Sequence, residues 1–224
     1  MTYTESKEWK SYLELMEQRP YLFEQSDKLA IITTPHIVNE YVSHTGRKLG
    51  LVYKSPWNML IVDLVRNENG EIFSYDRLVA TSTGTPVVTV PVYHGKFILI
   101  RQYRHAIRDM QYAFPRGFGE NDLTAEQNAV KELNEEIGAS ISSASTNVKL
   151  LGHITSDSGI TSTNIAIVYC NIDSYEERIG YEEIQETILL SNEEIQAWIK
   201  EGRINDGFTL AAYSLFSLSS DALR

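Results

Sequence analysis

The sequence predicts an α/β (α+β) sandwich, because short β-type runs dominate the chain and a few amphipathic helical stretches stand apart from them. No internal repeat or low-complexity tract breaks the pattern, and 224 residues suit one large domain or a domain with a smaller appendage. In chain order, residues 5–18 read as a helix, with Trp9, Tyr12, Leu13 and Met16 on one stripe. LAIIT (29–33) and WNMLIVDLV (57–65) read as strands, and Asn69 with Gly70 forms a tight turn before IFSYDRLVAT (72–81). This β-rich N-terminal extension reads as a small antiparallel sheet. Two strands follow near 87–93 and 97–104, turning at His94 and Gly95, and a helix spans about 124–137. Residues 147–155, 163–172 and 186–191 read as strands. Residues 193–202 read as a helix stopped by Gly202, and Asp206 caps a last helix through 208–218.

Composition narrows the function classes. The net charge of −10 repels phosphate backbones, so binding to bulk nucleic acid is not expected. No run of eighteen apolar residues is present, which predicts no membrane span, and the charged N-terminus lacks a signal peptide's apolar centre, which predicts a cytoplasmic location. Cys170 is the only cysteine, so an intrachain disulfide or a multi-cysteine zinc site is excluded, and its apolar setting predicts a buried small hydrophobe. His153, Asp157 and Ser158 share one stretch, but no spacing there supports a catalytic triad.

The most informative segment is FPRGFGENDLTAEQNAVKELNEEIGA (114–139). Thr124 and Gln127 make a capping box, Ala129, Leu133 and Ile137 form the buried stripe, and Gly138 ends the helix. Asn128, Glu132, Glu135 and Glu136 fall off that stripe, with the carboxylates at i, i+3 and i+4. Glutamates in a last turn oppose the helix dipole and repel one another. Lys131 relieves Glu135 at i+4, and a divalent cation would relieve Glu132 and Glu136. Spacing alone leaves two readings open, a solvated acidic face and a metal cradle.

The segment resembles the Nudix box, G-x5-E-x7-R-E-U-x-E-E-x-G-U, where U is a bulky aliphatic. Gly117, Glu132, Leu133, Glu135, Glu136 and Gly138 fit it. Leu123, Lys131 and Ala139 depart from its first glutamate, its arginine and its last aliphatic, so the box is degenerate. Glu120 and Glu126 stand near enough in sequence for Lys131 to keep the local geometry by other contacts. The run LIRQYRHAIRDMQYAFPRG and the closing LLSNEEIQAWIKEGRINDGFTLAAYSLF are similar to the flanks of the ADP-ribose and nucleoside-diphosphate-sugar pyrophosphatases of that superfamily. The resemblance covers about residues 50–218.

It implies an α/β/α sandwich on a mixed sheet over residues 84–224, and a dimerising extension over residues 1–83. It implies a diphosphatase using Mg2+ or Mn2+ on a nucleoside diphosphate sugar or related dinucleotide, ADP-ribose foremost. The implied metal set is Glu132, Glu135 and Glu136 with the backbone carbonyl of Arg116. Arg104 is implied in substrate binding, with Arg101 and Arg116 as further candidates, since a guanidinium donates to phosphate oxygens in pairs. The residues alone leave Arg104 open as a strand-end surface arginine. In the family the base often comes from an acidic loop after the long strand, here SYEERIGYEEIQET. Glu183 is the first candidate, then Glu182 and Glu186, and Glu135 joins the catalytic set. The partners implied are that substrate and a second copy of the chain. The alternative is a weak or inactive domain that binds a nucleotide sugar without cleaving it.

Overall fold

The computed structural model describes residues 2–142 and 146–219, so the outermost ends of the two expected domains lie outside the described residues. The chain divides into two compact units. One holds Met1–Thr81 with Asp157–Thr163, and the other holds Ser82–Ser156 with Asn164–Arg224.

In the first unit, α1 (Lys7–Gln18) is capped by Ser6, whose hydroxyl accepts from the Trp9 N–H at 3.2 Å. Trp9, Tyr12 and Leu15 are buried, whereas Leu13, expected on the stripe, is exposed. The buried face follows spacings of three around Tyr12 and turns Leu13 outward. β1 (Leu29–Ile31), β2 (Gly50–Lys54), β3 (Asn58–Asn67) and β4 (Ile72–Ala80) form an antiparallel sheet. β4 pairs along nearly all of β3, while β2 and β1 pair with its two ends, at Met59–Val62 and Val65–Asn67. Between β1 and β2 lies α2 (Pro35–Thr45), which hydrophobic spacing did not reveal. Its signals were terminal: Pro35 in the first turn and Gly46 after the last, at φ +68°. Inside, Asp63 is 2% exposed and fully partnered. It accepts from Tyr12 Oη at 2.6 Å and from Arg77 Nε and Nη2 at 2.5 and 3.1 Å. A buried charge persists only when satisfied in this way. The segment Asp157–Thr163 belongs to this unit through Leu78 N–H to Ile160 O at 2.8 Å and Tyr75 Oη to Gly159 O at 2.7 Å.

The second unit is built on a mixed sheet of β5 (Val87–Tyr93), β6 (Lys96–Arg104), β7 (Asp109–Ala113), β8 (Arg116–Gly117), β9 (Val148–Thr155), β10 (Asn164–Asn171) and β11 (Ile184–Leu190). The order is β11–β6–β5–β10–β9, with β7 on β6 and β8 on β5. β5 and β10 run parallel and the other pairs are antiparallel. The strand period of two sorts the core into two faces. Ile98, Ile100, Ala166 and Val168 pack with Ala129, Leu133 and Ile137 of α3 (Ala125–Ile137). Phe97, Leu99, Ile165 and Ile167 pack with Ile195 of α4 (Asn192–Lys200) and with Ala212 and Phe216 of α5 (Gly207–Ser217). The result is the expected α/β/α sandwich. Cys170 lies in the α3-side core, where burial pushes its thiol up to about 12. Among the described residues no helix is long and apolar enough to cross a membrane.

Candidate active site

The site begins where α3 meets β8. Thr124 caps α3 with Gln127, accepting from the Gln127 N–H at 3.2 Å and donating its own N–H back at 2.9 Å. The helix ends at Gly138, φ +57°. Two faces of α3 are buried, not one. Besides the apolar stripe, Asn128 and Glu136 are 0% and 2% exposed, which corrects the placement of both outside the buried surface. Their burial comes from the 116–123 loop, which closes over the helix. Asn128 Oδ1 accepts from the Glu120 N–H at 3.0 Å and braces that loop. At Gly117 a Cβ would stand 2.0 Å from the Glu132 carboxyl carbon, so only glycine leaves the carboxylate its place.

Glu132 and Glu136 share this face. Burial pushes the Glu136 carboxyl up to about 8, helped by the charges of Glu132 and Glu182 and opposed by Arg104 and the Arg116 backbone N–H. Burial likewise raises Glu132 to about 7, with Lys131 opposing and Glu135, Glu182 and Glu120 adding to the rise. Oε2 of Glu136 is buried with no hydrogen-bond partner. Two desolvated carboxylates and an orphaned oxygen fit a small hard cation, for which one or two carboxylates plus substrate oxygens suffice. Glu135 faces differently: Lys131 Nζ holds its Oε2 at 2.7 Å and reaches Glu120 at 3.3 Å. Among the described residues no cluster of three or more His, Cys, Asp or Glu forms a metal cage. Glu132 and Glu136 thus share this face, while Glu135 lies beside Glu132 in its ion pair with Lys131.

The arginines separate by strand parity. Gln102 and Arg104 share the β6 face with Ile98 and Ile100, toward α3. Arg104 Nε and Nη2 are buried without partners, and its interactions include Glu136, Glu182 and Arg116. Desolvation by burial, with Arg116 beside it, holds its pKa below the ordinary guanidinium value. Arg101 points to the other face, its guanidinium 5.8 Å from the Tyr112 ring centroid, away from the glutamates. Arg116 Nη1 bonds Asp206 Oδ1 at 3.1 Å, and its guanidinium lies over Phe208 at 4.4 Å. Asp206 is the cap of α5 and also accepts from Thr209 N and Oγ1 at 2.9 and 2.7 Å. The sequence identified Asp206 as a cap and gave no sign that it would hold Arg116.

Of the loop acids, Glu182 is the one whose charge bears on Glu132, Glu136 and Arg104. It lies in a tight turn, Tyr181–Glu183, just before β11, and Glu183 follows it exposed at φ +62°. Glu186 accepts from Tyr112 Oη at 3.0 Å, with Tyr112 packed on the α4 and α5 side. Sequence reasoning missed Asn128 as the loop brace and Gln102 as a buried polar residue on the Arg104 face of β6. Buried polar positions on a strand or helix are read from sequence as apolar-face breaks, without their partners.

The family model for the NUDIX domain matches residues 83–208. A solved structure of an ADP compounds hydrolase is similar over 86% of this chain and 94% of its own, with a TM-score of 0.67 and 18% identity. A search among curated proteins finds no match.

Proposed function

Because the chain belongs to the NUDIX domain family, we propose that this Nudix hydrolase cleaves the diphosphate linkage of a nucleoside diphosphate sugar, ADP-ribose foremost, with Mg2+ or Mn2+. The products are AMP and ribose 5-phosphate. The observation that carries this reading is the desolvated pair Glu132 and Glu136 beside the unpaired guanidinium of Arg104. The fold likeness to an ADP compounds hydrolase supports the choice of substrate class.

Each residue has a separable task. Glu132 and Glu136 would hold the cation, which supplies charge neutralisation at the phosphate oxygens and a more acidic water. Glu135 is tied to Lys131 through Oε2, which leaves its other carboxylate oxygen for the cation. Arg104 presents two buried N–H groups to a phosphoryl oxygen and stabilises the charge gathered there as the bond breaks. Arg116 adds a second positive charge nearby while Asp206 fixes its direction. Glu182 takes the proton from the attacking water. In the same reading the protein works in the cytoplasm as a homodimer built through residues 1–83, which sedimentation of the 25.5 kDa chain tests.

The test of the substrate is a panel of nucleoside diphosphate sugars and dinucleotides assayed with Mg2+. The reading expects ADP-ribose to give the highest kcat/KM. Faster release of nucleotide from another diphosphate moves the assignment to that compound, and binding of ADP-ribose without cleavage of any member contradicts the enzyme reading.

A further inference from the structure

Gln102 has no task in the reaction described so far, yet it is 4% exposed on the β6 face that carries Arg104. Its Nε2 donates to the main-chain oxygen of Glu182 at 2.6 Å. The other end of the amide, Oε1, is buried with no hydrogen-bond partner. Flipping the amide would set oxygen against oxygen, so the bond to Glu182 fixes its orientation. The carbonyl it holds lies in an unusual stretch. Glu182 and Glu183 have φ of +44° and +62°, left-handed values that L side chains disfavour, and they follow Gly180 at +90°. Few bonds close this turn: Gly180 N–H to Ile184 O at 2.8 Å, Tyr181 N–H to Arg178 O at 3.2 Å and the Ile184 N–H to Tyr181 O. A strained pair of residues persists only where its surroundings over-determine it.

We propose that Gln102 is a positioning residue for the base: by holding the Glu182 carbonyl it keeps the Arg178–Ile184 turn left-handed and directs the Glu182 carboxylate to the site. The proposal rests on the reading of Glu182 as the base. A strand residue buried in the sheet thereby places a loop side chain by a main-chain contact, without touching substrate. Its loss lowers turnover through misplacement, not through weaker binding.

The test is a double-mutant cycle of Gln102→Met, close in volume but without the donor, and Glu182→Gln. In the wild-type background Gln102→Met is expected to lower kcat about 10-fold or more with KM little changed. In the Glu182→Gln background the same substitution is expected to cost less than about 2-fold. Equal losses in both backgrounds overturn the proposal and leave the base assignment standing. Wild-type turnover in Glu182→Gln removes the base reading and the proposal together. A measurement without turnover stands beside these. Amide exchange at Gly180 and Ile184 is expected to quicken selectively in the unliganded Gln102→Met protein, and unchanged protection there contradicts the proposal.

Discussion

The candidate site turns on carboxylates drawn partly out of water, Glu132 half-buried and Glu136 buried. Glu136, at 2% exposure with one orphaned oxygen, is the clearest case, because a buried charge without a partner is costly unless something else neutralises it. In the proposed function a metal ion would compete with protons for that role. Both Glu132 and Glu136 have folded pKa values raised from 4.5, to about 7 and about 8. At these two positions the folded chain holds more protons than the unfolded chain between pH 4.5 and 8, so their contribution to stability falls as pH rises through that window. Thermal melting in a chelating buffer is expected to show this fall, Glu136→Gln to flatten it, and added Mg2+ to offset it at the alkaline end. A melting temperature that rises over the same window in the chelated wild type contradicts the assignment of the pair as desolvated.

The element that carries the candidate site is α3 together with the loop that closes on it. In the family resemblance, Leu123 and Lys131 stand in place of a supporting glutamate and arginine. The structure supplies other supports: Lys131 reaches Glu120 at 3.3 Å, and Asn128 Oδ1 takes the Glu120 N–H at 3.0 Å. Asn128→Ala removes the acceptor of the Glu120 N–H and is expected to cost about 0.5–1.5 kcal/mol in denaturant unfolding. Since the loop is already braced, Leu123→Glu with Lys131→Arg is expected to change kcat less than about 3-fold, within ordinary surface effects; a large gain would show the natural support to be deficient. Much of this element was legible in the sequence. Cap, apolar stripe, glycine end and carboxylate spacing are local, and local order is what periodicity reports. Its second buried face was not legible, because Asn128 and Glu136 are covered by a loop whose closure depends on contacts across the fold. The helix Pro35–Thr45 escaped for another reason. Its β-branched residues and histidines blur the period, and only its terminal Pro and Gly mark it.

At the scale of the molecule, strand order explains what no single segment shows. The antiparallel pairing of β11 with β6 brings Gln102 opposite Ile184, so the turn before β11 lies beside the end of β6. The pairing of β8 with β5 sets Arg116 and Gly117 against α3. Residues from positions 102 to 206 thus converge through pairings between strands distant in sequence. The family pattern gave the identity of the glutamates, but which loop acid joins them, and which arginine, depends on strand parity and register. Arg104 faces α3 and Arg101 does not. The metal cradle proposed at Glu132 and Glu136 serves diphosphate hydrolysis. Its most direct test is the initial rate of AMP release from ADP-ribose as a function of Mg2+, for the wild type and Glu136→Gln. Metal-dependent release by the wild type and a loss of more than about 100-fold in the variant are expected. Equal rates in the two proteins, or release by the wild type that is indifferent to Mg2+ and to chelator, would contradict it.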